Sequence, residues 1–121
     1  MKGKGSLTSL KNKADKLLQL KFLETNKKCI VCGQSPVVGH HYIYKSQSKF
    51  LRYQECNMVP LCSTCHTRHH LSGDPRIVQT ILKKKGMAWA DSLDEKRKVK
   101  VKFNKEYLKS IIEELNEQTL R

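Results

Sequence analysis

Four cysteines stand in two pairs of identical spacing, Cys29-Ile30-Val31-Cys32 and Cys62-Ser63-Thr64-Cys65. A two-residue gap lets both thiolates of a pair reach one ion, so together the pairs supply the four sulfur ligands of a tetrahedral Zn²⁺. Such a site has no open position; a zinc held there stabilises structure and does not touch substrate. Lys27 and Lys28 adjoin the first pair and favour the thiolate form that zinc needs. The competing readings are unrelated thiols or two thioredoxin-like redox motifs, yet neither pair lies in a recognisable strand-to-helix unit. Cys56 is left over, and an odd number of thiols argues against a complete disulfide framework.

All five histidines fall between and just after these pairs, in Gly39-His40-His41-Tyr42 and in Cys65-His66-Thr67-Arg68-His69-His70. His66 and His70 are four apart, so on a helix they project from one face and can share a metal, with His69 beside them. A neutral imidazole, titrating near pH ~6.5, also takes a proton from water at physiological pH, as hydrolysis at phosphorus demands.

The order Cys-x-x-Cys, His-His, Asn57, Cys-x-x-Cys-His over residues 29 to 70 resembles the HNH nuclease family, the ββα-metal group, many of whose members carry two Cys-x-x-Cys pairs around the active site. The likeness covers about a third of the chain. It implies an α+β fold with a small ββα-metal, treble-clef-like zinc-stapled core, an N-terminal basic helix before it and two or three C-terminal helices after it. It also implies a metal-dependent endonuclease that hydrolyses DNA phosphodiester bonds to 5′-phosphate and 3′-hydroxyl ends.

On that resemblance His41 is the general base and His40 the metal ligand directly before it. His66 and His70 are the helix ligands, with His69 a poorer candidate. Asn57 orients the base by a side-chain hydrogen bond and braces the loop. The cofactors implied are one structural Zn²⁺ on Cys29, Cys32, Cys62 and Cys65, and one catalytic divalent ion. Many relatives carry Asp where this chain has His40, and an all-nitrogen site suits Mn²⁺, Ni²⁺ or Zn²⁺ better than Mg²⁺, which prefers oxygen. Mn²⁺ or Ni²⁺ is therefore expected to support activity at least as well as Mg²⁺. Relatives place phosphate contacts in the loop before the asparagine, which here holds Lys45, Lys49, Arg52 and Tyr53; Arg68 lies between the helix histidines. Solvation is the default role of such exposed cations.

Gly39-His40, Leu51-Arg52-Tyr53, Cys65 and Leu71-Ser72-Gly73-Asp74, followed by helices, also resemble bacteriophage recombination nucleases of the NinG (Rap) type. That implies a phage or mobile-element origin and branched recombination intermediates as substrates, although short motifs carry no branch specificity. Symmetric paired incisions need two active sites, so a junction cutter is expected to be a homodimer, with its interface on the C-terminal helices. The alternative is a non-catalytic zinc-stapled nucleic-acid-binding module. It accounts for the charge and the cysteines but not for vicinal histidines, an intervening asparagine and histidines at i and i+4 in one short region.

A scaffold must hold these residues. The 121 residues fit one domain, divided into a basic N-terminal helix (1–26), the zinc-stapled catalytic core (27–73) and a helical extension (74–121). Leu7, Leu10, Ala14, Leu17 and Leu18, with Lys11, Lys13, Lys16 and Lys21 between them, predict an amphipathic helix whose lysine face either tracks phosphates or is merely solvated. Asp74 as N-cap and Pro75 at the first position open a helix through Ile77, Val78, Ile81 and Leu82 that stops at Gly86. Met87, Trp89, Ala90 and Leu93 predict another. From Lys98 to Phe103 lysines alternate with Val99, Val101 and Phe103, the pattern of a half-buried strand. Asn104 then caps a last helix with a packing stripe of Tyr107, Leu108, Ile111, Ile112 and Leu115.

Net charge is +13, with 12 basic and 3 acidic side chains in residues 1–73 against 12 and 8 in residues 74–121. A field of this size attracts a polyanion, and DNA, double-stranded or branched, is the expected partner. No apolar run approaches the roughly 18 residues of a membrane span and no signal region opens the chain, so a cytoplasmic protein of a bacterial or phage-infected cell is expected, not a secreted disulfide protein.

Overall fold

A computed structural model describes residues 6–120. Among them, five α-helices surround one two-stranded antiparallel sheet, which makes the fold a small α+β one. In order these are α1 (Leu7–Thr25), β1 (Val38–His41), β2 (Met58–Leu61), α2 (Ser63–His70), α3 (Pro75–Lys85), α4 (Met87–Lys96) and α5 (Lys105–Leu120). Single 3₁₀ turns at Leu51–Tyr53 and Glu55–Asn57 lie in the connection between the strands.

Local chemistry sets the helix ends. The Ser6 hydroxyl accepts from the Ser9 amide at 3.0 Å, satisfying an otherwise orphaned donor at the start of α1. Asp74 does the same for Arg76 before Pro75 opens α3, and Gly86, at φ 91°, takes the left-handed turn that closes it. Asn104 Oδ1 accepts from the Tyr107 amide at 2.9 Å and caps α5.

Leu10, Ala14, Leu18 and Phe22 form the buried stripe of α1 and pack on Leu108, Ile111, Ile112 and Leu115 of α5. The apolar face of the last helix is therefore consumed by the first. A second cluster joins Val59 and Leu61 of β2, Ile77 and Ile81 of α3, and Cys29, Cys62 and Cys65. In a third, Leu93 of α4 supports Ile43 near the start of the inter-strand loop and Leu51 in its middle. The Trp89 indole N–H donates to the Cys56 carbonyl at 2.8 Å and ties α4 to that loop again.

The expected strand over Lys98–Phe103 does not form. Alternation prepares a segment for pairing, but among the described residues β1 and β2 pair only with each other and there is no third strand. Residues 99–103 instead run without regular structure, Val99 is exposed, and Phe103 packs on the α1–α5 cluster.

In the sheet Val38 pairs with Leu61, Gly39 with Pro60, His40 with Val59 and His41 with Met58. Gly39 is where β1 meets α1. A Cβ there would lie 2.5 Å from Met58 Cε and 2.7 Å from Phe22 Cδ2, so a side chain would push the histidine strand off the helix. Gln19 of α1 grips the same residue from its free edge, donating from Nε2 to the Gly39 carbonyl (2.9 Å) and accepting the Gly39 amide on Oε1 (2.7 Å). No helix among the described residues is long and apolar enough to cross a membrane.

Candidate functional site

The sulfurs of Cys29, Cys32, Cys62 and Cys65 lie within 4.8 Å of one another, with Cys32 and Cys62 3.5 Å apart. Tetrahedral Zn–S bonds of about 2.3 Å put sulfurs roughly 3.8 Å apart, so one zinc ion fits this cluster with little movement. Each pair sits in a turn that points amides at sulfur. Val31 donates to Cys29 Sγ and Cys65 to Cys62 Sγ, both at 3.4 Å. The first turn is closed by Gly33, at φ 81°, and anchored to β2 by Ile30 N–H donating to the Pro60 carbonyl at 2.9 Å. The second is the N-cap of α2, with Cys62 as the capping side chain. Burial opposes ionisation of Cys29, but backbone donors from Cys32, Cys62 and Val31 outweigh it and bring its thiol down to about 6. Cys65 is pushed up by burial and by the other three sulfurs, the behaviour of packed thiols that need a cation among them. Cys56 stands apart and exposed.

The histidines come from two elements. Alternation along β1 turns neighbouring side chains apart, so His40 and His41 take different partners although both line one cavity. His40 is buried against α2, its ring centroid 4.9 Å from His69, 5.4 Å from His70 and 5.7 Å from His66. The three histidines whose ligand nitrogens all lie within 4.8 Å of one another are His40, His69 and His70. His66 stands edge-on to His70, at 4.5 Å between centroids. The helix therefore brings His69, the weaker candidate by spacing, into the cluster and sets His66 at its margin. Burial and then the neighbouring imidazoles hold His40 down at about 3, and the same causes lower His66 and His69, so all three rings are neutral at neutral pH. The Tyr44 hydroxyl lies 3.3 Å from His69 Nε2 and steadies that ring.

His41 Nε2 lies 2.9 Å from the carbonyl oxygen of Arg52. A carbonyl can only accept, so the contact assigns the proton to Nε2 and leaves Nδ1 with a free lone pair. Burial lowers the His41 pKa, the Arg52 carbonyl partly opposes this, and nearby Lys45 adds to it, which keeps the ring in its proton-accepting form.

Asn57 is fully buried and braces the loop. Its Oδ1 accepts from the Ile43 amide at 2.8 Å, and its Nδ2 donates to the carbonyls of Ile43 (2.8 Å) and Leu51 (3.4 Å). Among the described residues no side-chain hydrogen bond joins it to His41, whose ring is held instead by the Arg52 carbonyl.

The cations expected to meet phosphate fall into two groups. Arg52 makes a two-pronged bond to Asp15 of α1, at 3.1 and 2.6 Å, and Arg68 binds Asp74 at 3.1 and 2.7 Å, so both guanidiniums are engaged by carboxylates. Lys45 is exposed on the rim of the histidine cavity, and Lys49 is exposed with its ammonium 5.0 Å from the Phe103 ring centroid. Tyr53 is buried, and its hydroxyl has no partner among the described residues.

One open cavity of about 310 Å³ collects His40, His41, Tyr44, Lys45, His66 and His70, with Gln19 at its wall. Gln19 and Asp15 escaped the sequence reading, because a polar residue on an amphipathic helix carries no signal of which strand or loop it will meet. Comparison with protein-family models, with curated proteins and with solved structures found no match to this chain.

Proposed function

We propose that this chain is a metal-dependent HNH-type endonuclease that hydrolyses DNA phosphodiester bonds, with the β1–β2–α2 unit as its ββα-metal core. The observation that carries the reading is the cavity that His41, its proton placed on Nε2, shares with His40, His66 and His70, beside the His40, His69 and His70 nitrogens that lie at ligand spacing.

A divalent cation held by His40, His69 and His70 would neutralise charge developing on the scissile phosphate and its leaving oxygen. The donor set is all nitrogen, which favours Mn²⁺, Ni²⁺ or Zn²⁺ over Mg²⁺. His41 Nδ1 takes a proton from the attacking water while its Nε2–H stays bonded to the Arg52 carbonyl, so the ring cannot swing away as it becomes charged. Lys45 holds a phosphate oxygen at the rim. The four-thiolate zinc keeps α2 and the strands in register and takes no part in the chemistry. Branched recombination intermediates as substrate extend the same proposal, as does a dimer, whose interface would have to avoid the α5 stripe that α1 already covers.

The test is incubation with supercoiled plasmid and with a four-way junction, adding EDTA, Mg²⁺, Mn²⁺ or Ni²⁺ in turn, beside His41→Ala. The expected result is nicking that needs both the added metal and His41, with loss of the base slowing it by about 10²- to 10⁴-fold. DNA binding without cleavage in any metal, by protein that retains its thiolate-bound zinc, would replace this reading with the non-catalytic binding module.

A further inference from the structure

The segment that fails to become a strand lies next to the site. Gln47, Ser48 and Lys49 of the inter-strand loop and residues 97–101 line a groove of about 360 Å³. Gln47 also lines a cavity of about 200 Å³ shared with His40, Tyr44 and His69, so the groove adjoins the histidine cluster through that residue. Lys49, Lys98 and Lys100 are exposed along it. Arg97 and Lys98 meet Asp94 and Glu95 in exposed pairs one helical turn apart, which salt and solvent weaken and an incoming phosphate can replace. Among the described residues, the backbone of residues 100 and 101, which line the groove, makes no hydrogen bond to other backbone, so their amides are available as donors. Lysines and unpaired amides along one extended run, opening from a candidate hydrolytic site, suit a chain of regularly spaced anionic groups.

We propose that this groove holds the DNA backbone beyond the scissile phosphate, with Lys49, Lys98, Lys100 and the amides of residues 100 and 101 as the contacts. The assignment rests on the nuclease reading for its substrate, and its geometry makes the unpaired segment a track and not an idle linker. Contacts of this kind carry no base information, so the groove contributes affinity and direction without sequence preference. They also hold ground state and transition state alike, so losing them raises KM and leaves kcat unchanged.

The test compares Lys98→Ala/Lys100→Ala with Lys105→Ala/Lys109→Ala, which removes the same charge from the exposed face of α5. Binding to a 30-base-pair DNA duplex is measured against salt in a His41→Ala background, where nothing is cut, and cleavage is measured with His41 present. The groove pair is expected to lower the slope of log Kobs against log salt by about 1.8 and to weaken binding at 0.1 M salt by roughly 50-fold, while the α5 pair shifts both far less. KM should rise for the groove pair at unchanged kcat. Equal effects from the two pairs, or a loss seen with an RNA duplex but not with DNA, would overturn the groove. If wild-type protein binds DNA through the groove yet cuts in no metal, the nuclease reading falls and the groove stands; if it cuts while the groove pair matches the α5 pair, the reverse holds.

Discussion

Three histidines in one turn of helix differ in what they can do because each leaves α2 in a different direction. His69 and His70 close the nitrogen cluster on His40, and His66 packs edge-on beside them. His69→Ala is therefore expected to weaken Mn²⁺ binding by roughly tenfold or more, read by calorimetry, and His66→Ala to weaken it less. The opposite ranking would mean that His66 supplies the third nitrogen. A different residue sets the acid stability of the neighbouring turn. Asp74 accepts from Arg76 and Arg68, in that order of effect, and its carboxyl is held well below the usual range. A depressed folded pKa adds stability above the unfolded value, and that stability is lost as pH falls through the folded one. Asn caps a helix as well as Asp does. Asp74→Asn should thus lower the melting temperature at neutral pH, with the gap to wild type narrowing steadily below about pH 4.

At the scale of elements, α1 does more than cover the core. From one helix Gln19 clamps Gly39 in the histidine strand, and Asp15 holds Arg52, whose carbonyl receives the His41 proton. Asp15 is a positioning residue on this geometry. On the proposed nuclease reading, Asp15→Ala, which frees the 3₁₀ turn at Leu51–Tyr53 and lets the carbonyl drift, should reduce kcat roughly tenfold to a hundredfold while KM and metal affinity stay at wild-type values. An equal fall in metal affinity would show instead that the variant damages the strand as a whole. The α4 helix has a matching task on the other side, since Leu93 and Trp89 hold the loop that Asn57 braces from within.

Across the whole molecule, two cores of unlike character meet at the sheet. One is apolar, made by α1 and α5; the other packs Cys29, Cys62 and Cys65 against β2 and is closed by α3. Lys84 of α3 donates to the Ile30 carbonyl at 2.6 Å, so the extension also secures the first cysteine turn. A structural zinc is worth on the order of 10 kcal/mol in small zinc domains, comparable to the whole stability of a domain this size. Cys62→Ser separates that contribution from local structure, because serine is itself a good N-cap for α2. If the four thiolates hold zinc, the variant should bind less of it than wild type, measured by metal analysis, and melt far below wild type; equal zinc content and equal stability would remove the metal from the account of the fold.

Periodicity and capping chemistry sufficed for the helices, because both act within a few residues. Ser6, Asp74 with Pro75, Gly86 and Asn104 mark their ends in the chain itself. The thiol cluster was equally legible, since equal two-residue gaps leave few ways to arrange four sulfurs. Tertiary structure decided the rest. Alternation from Lys98 to Phe103 could not say whether a partner strand existed. Spacing on α2 could not say which histidine faces His40, because that depends on how the helix is rotated about its axis. Nor could composition distinguish a free guanidinium from one bound to a carboxylate 37 positions away, as Arg52 is to Asp15. Chemistry confined to one turn or one motif is written in the sequence; the pairing of distant elements, which turned His41 toward the Arg52 carbonyl, is set only when the chain has packed.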